Sequence, residues 1–299
     1  MRPWLPFVML GVFAAALALF AARIAWHSYR AAVRDFQRTA PGPFSARAAD
    51  AGVAQLQSVT FAGAGETLAA WYVPSRNSAA VILVHGTGAE RGSLLAETRI
   101  LAAAGFGVLA LDLPGQGLSG GDTRWGDPEV AALSAAIDWL QTRPGLDRER
   151  IGGFGLSFGG YVLLQCALRD MRLRAVVLAS TPEDLDEETR RANAGAGFLS
   201  VWPALWVLHR YRGAVKDVPP VQAVRALAPR AVFVIGGERD RLVPPRAAQA
   251  LFAAALRPKE IWIVPGAGHA GFAMSAPREY AARLAGFFEG LLGAARKSP

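Results

Sequence analysis

The amino-acid sequence predicts an α/β protein whose mostly parallel sheet of eight strands is covered by helices on both faces. Three observations carry this. Apolar runs of strand length recur, among them residues 80–84 and 107–111, as strands buried on both faces read. Runs of helical period, such as 94–104 and 246–256, alternate with them. Two further strand-like runs flank Gly63-Ala64-Gly65 and open the domain as a hairpin. Alternation of this kind sets consecutive strands parallel through helical crossovers.

The elements follow in chain order. Residues 4–22 contain no charged side chain, and all but Pro6 and Gly11 are apolar. At 1.5 Å per residue such a helix is about 28 Å long, roughly the hydrocarbon core of a bilayer. Trp4 and Trp26 fall near the two interfaces. Residues 1–26 therefore read as a transmembrane anchor. The competing reading is a cleaved signal peptide, against which stand the long apolar run and an n-region of only Met1 and Arg2. Arg23, Arg30, Arg34 and Arg38 follow the span, which favours a cytoplasmic globular domain; a signal-anchor with a periplasmic domain is the alternative. Residues 27–56 read as a stalk broken by Pro41-Gly42-Pro43.

The globular domain then occupies residues 57–299. Strands are predicted at 57–62, 67–73, 80–84, 107–111, 150–154, 174–179, 231–235 and 260–264. Helices are predicted at 94–104, stopping at Gly105, and at 128–140, with Asp127 as N-cap and Pro128 in the first helical position. Others fall at 161–168, 246–256 and about 277–292.

Hydrophobic residues make up 52% of the chain and charged residues 19%, which excludes a disordered protein. The net charge is +8, and half of it lies in the first fifty residues, where six arginines face two aspartates. Arginines beside an apolar helix suit anionic lipid headgroups, and the sequence holds no nucleic-acid motif or basic aromatic stripe. The sole cysteine, Cys166, cannot form an intrachain disulfide and reads as a small buried residue.

Gly155-Leu156-Ser157-Phe158-Gly159 carries the chemistry. It is G-x-S-x-G between an apolar run and a helical run, the strand–turn–helix setting that lifts a serine out of a sharp turn. Side chains two residues either side of that serine would collide, and Gly155 and Gly159 avoid this. An attacking serine needs a base, and the base an orienting acid. Of the four histidines, His269 lies just past the last predicted strand, in Pro265-Gly266-Ala267-Gly268-His269, where open α/β sheets gather their site residues. The acid should follow the preceding strand, and Asp240 is chosen there, with Glu238 as its rival. The oxyanion donors are expected from the backbone N–H groups of Phe158 and of Thr87, in Val84-His85-Gly86-Thr87-Gly88. His85 reads as a structural loop residue rather than a second base, and His85 and Gly86 are also candidates for the pocket wall.

With these motifs, and with Leu111-Asp112-Leu113-Pro114-Gly115-Gln116-Gly117-Leu118-Ser119 and Gly237-Glu238-Arg239-Asp240-Arg241-Leu242-Val243-Pro244 in the same order and spacing, the chain resembles the α/β-hydrolase superfamily over about residues 57–293. Within it, the chain looks like the membrane-anchored, serine-aminopeptidase-like or lysophospholipase-like hydrolases of bacteria. The resemblance implies a single-pass inner-membrane protein, an acyl-enzyme mechanism and no metal or organic cofactor. It also implies a structural, non-catalytic Asp112. Serine at the elbow disfavours the dehalogenases and epoxide hydrolases, which carry aspartate there, and the dienelactone hydrolases, which carry cysteine.

A cap is expected over about residues 181–228. It opens with charged residues and turns apolar from Phe198 to Leu208, where Trp202 and Trp206 are candidate pocket residues. The segment reads as a cap packed over the site or as an interfacial element beside Arg210 and Arg212. The expected function is hydrolysis of carboxylic esters or thioesters with an apolar acyl group, drawn from small molecules or lipids. The alternatives are a serine peptidase of aminopeptidase type, whose substrate amine the acidic start of the cap would bind, and a non-catalytic lipid- or partner-binding protein.

Overall fold

The computed structural model describes residues 4–35, 52–212 and 218–293. Its strands are β1 (Gln57–Gly63), β2 (Glu66–Val73), β3 (Ala80–Val84), β4 (Gly107–Leu111), β5 (Ile151–Leu156), β6 (Leu173–Ala179), β7 (Ala231–Gly237) and β8 (Lys259–Val264). They form one sheet in the order β1-β2-β4-β3-β5-β6-β7-β8. Only β2 runs antiparallel to its neighbours; β3 to β8 are parallel. The eight predicted strands are all present, with ends moved by two residues or fewer.

Residues on β3 alternate between two cores. Ala80, Ile82 and Val84 pack on one face, Val81 and Leu83 on the other. Alternation sends successive side chains to opposite faces. With helices on both faces, each side chain must be apolar, which is why these strands are unbroken apolar runs.

The helices are α1 (Leu5–Asp35), α2 (Leu95–Ala103), α3 (Asp127–Gln141), α4 (Phe158–Arg169), α5 (Leu185–Ala192), α6 (Phe198–Arg212), α7 (Pro220–Ala223), α8 (Pro245–Ala254), α9 (Phe272–Ser275) and α10 (Pro277–Leu292). α1 is long and apolar enough over Phe7–Arg34 to cross a membrane. It runs unbroken past residue 26 through the first part of the expected stalk. The Pro41-Gly42-Pro43 break lies outside the described residues. The C-terminal end of α1 packs on α6: Ala32 is buried with Ala204, Val207 and Leu208, and the Tyr29 and Trp206 rings lie 6.1 Å apart.

One helix start differs from expectation. α3 is capped by Gly126, and Asp127 is its first residue. The Glu129 carboxylate accepts the N–H groups of Arg124, Trp125 and Gly126 at 2.6, 3.1 and 2.8 Å. The N–H groups of the turn that leads into α3, the cap residue's included, are thus satisfied from inside the helix's first turn. Asp127 instead accepts a 2.7 Å bond from Arg169 on α4.

Asp112, after β4, is wholly buried. It accepts the Arg91 N–H at 2.7 Å, the Leu118 N–H at 2.8 Å and the buried Arg91 guanidinium. It ties the loop after β4 to the loop after β3, as a structural aspartate would. Replacing Asp112 with Ala leaves the Arg91 charge buried without its partner. Urea unfolding of the detergent-solubilised chain is expected to show a loss of about 3–5 kcal/mol; a change below about 1 kcal/mol would sink this account.

Candidate active site

The strand order reverses between β3 and β5, and the loops beyond their carboxyl ends open a crevice there. Ser157 stands in that crevice, directly after β5. Its φ of 54° and ψ of −122° lie in a region that non-glycine residues avoid. The turn closes only because its neighbours are glycines. A Cβ on Gly155 would sit 2.5 Å from Gly160, and one on Gly159 would strike the Val84 carbonyl. Phe158 opens α4, so its N–H is among those an α-helix leaves without an internal partner.

Asp240 and His269 come together from the loops after β7 and β8. The Asp240 side chain is fully buried; that of His269 is 29% exposed. His269 Nδ1 lies 2.8 Å from Asp240 Oδ2. Asp240 Oδ1 accepts the Leu242 and Val243 N–H groups, each at 2.9 Å, and Oδ2 also accepts the Ser180 hydroxyl at 2.8 Å. Burial alone would raise the Asp240 pKa, but the His269 hydrogen bond and charge, with the Val243 and Ser180 donors, hold it below the ordinary aspartate value. Asp240 is therefore a fixed anion that sets the ring's orientation. With the proton on Nδ1, Nε2 is the nitrogen left free to accept a proton. Among the described residues, no hydrogen bond joins the Ser157 hydroxyl to the ring. Such bonds commonly tighten only when substrate binds.

Glu238 is exposed and accepts the Gly266 N–H at 2.7 Å. It pins the loop that carries His269, whereas Asp240 is the carboxylate that the His269 ring meets. Gly86 packs against Ser157: a Cβ there would lie 3.3 Å from Ser157 Cβ. Thr87, next along this loop, is partly exposed.

Three sequence-based pocket assignments are corrected. His85 is wholly buried; its Nδ1 lies 2.8 Å from the Gly86 carbonyl and its Nε2 accepts the Leu113 N–H at 3.1 Å. Both nitrogens are used in holding two loops, which leaves none for a substrate. Burial lowers its pKa, Asp112 opposing, so it serves as a neutral structural residue. Trp202 and Trp206 are 54% and 48% exposed on α6. Trp206 meets Tyr29 of α1 and Trp202 meets Phe198. The opposite face of α6, with Ala204 and Leu208, is the one turned inward.

Three residues, Ser180, Trp125 and Glu188, were not picked out individually in the sequence, whereas Cys166 is buried as expected. Ser180 follows β6 directly and supplies the hydroxyl on Asp240. Its position at a strand end, next to the strand that carries the acid, is the signal it offered. The Trp125 ring lies tilted against that of Phe158, with centroids 4.7 Å apart; its place depends on the Glu129-bound turn. Glu188, on α5, lines a cavity of about 90 Å³ together with Ala32, Trp125, Thr189, Ala192, Asn193, Ala204 and Leu208. Burial raises its carboxyl to about 7, while His269 and Arg191 pull the other way. Trp125 links the cavity to Phe158, the residue after Ser157, and Glu188 lies within electrostatic reach of His269 and Asp240. Cys166 is buried on α4, and burial pushes its thiol up to about 12. Among the described residues, no group of three or more His, Cys, Asp or Glu is placed to hold a metal.

Fold and crevice together define a hydrolytic enzyme. The sequence profile described as the alpha/beta hydrolase family matches residues 81–283, and the chain belongs to that family. It is similar to an uncharacterized protein of Mycobacterium tuberculosis, 31% identical over 210 residues that cover 69% of each chain. Among solved structures it resembles an esterase of Pyrococcus furiosus, with a TM-score of 0.71 and 22% identity over 86% of this chain and all of that one. It also resembles protein PA2218 of Pseudomonas aeruginosa, with a TM-score of 0.64 and 24% identity over 80% of this chain and 94% of the other.

Two outcomes follow. Ser180→Ala removes one donor from the Asp240 carboxylate, and ester turnover is expected to fall roughly tenfold to a hundredfold, the worth of a hydrogen bond to a charged group; unchanged steady-state kinetics would refute this. The folded chain holds the Glu188 proton over a window, from the ordinary value of 4.5 to about 7, in which the unfolded chain releases it. Stability is therefore lost as pH rises through that window. Glu188→Gln should raise the thermal midpoint most at pH 8, with the gain shrinking toward pH 4.5. A gain independent of pH would count against a buried titrating carboxyl.

Proposed function

We propose that this protein is a serine esterase that cleaves carboxylic esters or thioesters with an apolar acyl group. The observation that carries this reading is the 2.8 Å pairing of His269 with a buried, fully hydrogen-bonded Asp240, in the crevice where Ser157 stands on its strained turn. Ser157 Oγ attacks the substrate carbonyl carbon and gives its proton to His269 Nε2. The carbonyl oxygen becomes an oxyanion, held by the N–H groups of Thr87 and Phe158. Collapse breaks the bond to the leaving group, which takes the proton from His269. Water, deprotonated by the same nitrogen, then attacks the acyl-enzyme and releases the acid, and the proton returns to Ser157. Asp240 stays ionised throughout and stabilises the imidazolium that forms twice per cycle.

The N-terminal helix anchors the enzyme in a membrane in this reading. Its exposed apolar side chains along residues 7–20 support the assignment, as do Arg30, Arg34 and Arg210, exposed where α1 meets α6. Esters with an apolar acyl group partition toward such a surface.

One observation favours a second chemistry. The Glu188 carboxyl lines the cavity within electrostatic reach of His269, where a substrate ammonium would find a counter-charge. An aminopeptidase-type activity would hydrolyse aminoacyl 4-nitroanilides faster than the matching N-acetylated compounds.

The deciding experiment is fluorophosphonate labelling of the full chain in detergent, alongside hydrolysis of 4-nitrophenyl esters. Wild type should label and turn over esters. Ser157→Ala should lose all labelling and lower kcat by about 10⁴-fold or more. Labelling that persists in Ser157→Ala would place the nucleophile elsewhere. A folded wild type that neither labels nor turns over esters would bring forward the non-catalytic binding reading.

A further inference from the structure

The cavity whose wall Trp125 shares with Phe158, next to Ser157, is built from three parts of the chain that lie far apart in sequence. Trp125 comes from the turn before α3. Glu188, Thr189 and Ala192 come from α5, and Ala204 and Leu208 from α6. Ala32 comes from α1, the helix with the membrane-length apolar run. Ala32 is 7% exposed, Ala204 3% and Leu208 2%, so these three walls of the cavity are packed apolar side chains. The anchor helix is therefore part of the cap, packed on α6 through Ala32, Tyr29 and Val33.

The cavity is also polarised. Its carboxyl, on Glu188, lies in the electrostatic field of His269 and Asp240. Its methyl and isobutyl groups, on Ala32, Ala204 and Leu208, come from α1 and α6. An acyl group seated with its carbonyl toward Ser157 would run from the polar end to the apolar one. The volume of about 90 Å³ holds roughly three groups of water size, each ~30 Å³. That suits a tail of a few carbons.

We propose that the C-terminal end of the N-terminal helix is the floor of the acyl pocket, and that Ala32 on α1, facing Leu208 on α6, limits the enzyme to short-chain acyl esters. The membrane segment is then a specificity element as well as a tether. This rests on the serine esterase reading and adds to it the class of acyl group and the residues that select it.

The experiment uses the full chain in phosphatidylcholine–phosphatidylglycerol vesicles, with 4-nitrophenyl acetate, butanoate and hexanoate as substrates. Ala32→Phe fills the apolar end, and the butanoate-to-acetate ratio of kcat/KM is expected to fall roughly tenfold or more, as one or two lost methylene sites would give. Leu208→Ala enlarges the same end and should move the optimum from butanoate toward hexanoate. Ala22→Phe, on an exposed part of α1 away from the cavity, should keep the wild-type ratio. Fluorophosphonate labelling of each variant reports whether the Ser157 site is intact, independently of chain length. Opposite shifts in Ala32→Phe and Leu208→Ala, with labelling retained, support the proposal. Unchanged chain-length profiles in both labelled variants overturn it while leaving the esterase reading standing. Absence of labelling and turnover in wild type would overturn both. If Ala32→Phe fails to label, Leu208→Ala decides alone: no shift toward hexanoate overturns the proposal.

Discussion

The backbone reversal at Ser157 is the constraint on which the rest of the structure depends. A residue held at φ 54° and ψ −122° costs on the order of 1–3 kcal/mol and persists only where its surroundings over-determine it. Here β5 enters the turn from the middle of the sheet, hydrogen-bonded to β3 on one side and β6 on the other. The Ser157 N–H is held by the Ala179 carbonyl at 2.8 Å, at the end of β6. Helix α4 leaves the turn fully packed, with Tyr161, Val162, Leu163 and Leu164 all buried. The Gly155 and Gly159 positions follow from this crowding, because the strand going in and the helix coming out pass within contact of each other and of β3.

Around that turn, the buried carboxylates fall into two kinds. Asp112, Glu129 and Asp240 each accept three or more donors, several of them backbone N–H groups. Each therefore organises a loop: Asp112 the loops after β3 and β4, Glu129 the turn that presents Trp125, Asp240 the approach of His269. Glu188 is different. Its strongest influence is burial, and nearby cations only partly offset that. Arg191, the nearest arginine in its helix, is already taken by both oxygens of Glu183 at 2.9 and 3.2 Å. A carboxyl left without a dedicated partner inside a cavity that adjoins the site is a group free to answer to a ligand.

The cap joins the globular domain to the N-terminal helix. Ala32, Ala204, Val207 and Leu208 belong to the same hydrophobic core as β3 and α4. The membrane-length helix and the globular domain thus share a packed interface, not a connection through chain alone.

The strands, their order along the chain, the elbow and the loops bearing Asp240 and His269 were legible in the sequence because each depends on local chemistry. Buried parallel strands must be apolar on both faces, a tight turn needs its glycines, and loops past strand ends collect polar residues. Three kinds of fact were not legible. The partner of Glu129 is its own backbone turn, which moved the helix cap from Asp127 to Gly126. The inward face of α6 was read from its tryptophans, yet small Ala204 and unremarkable Leu208 face the cavity, while Trp202 and Trp206 face outward. An almost wholly apolar helix has no periodicity to mark its buried side; only the neighbour it packs on does. Ala32 and Glu188 lie 156 residues apart, a spacing that carries no signal. The sequence by itself determined the sheet, the turn and the identities of the three proposed catalytic residues. Tertiary packing alone decided which residues close the pocket, because that depends on how α1, α5 and α6 lean together over the sheet.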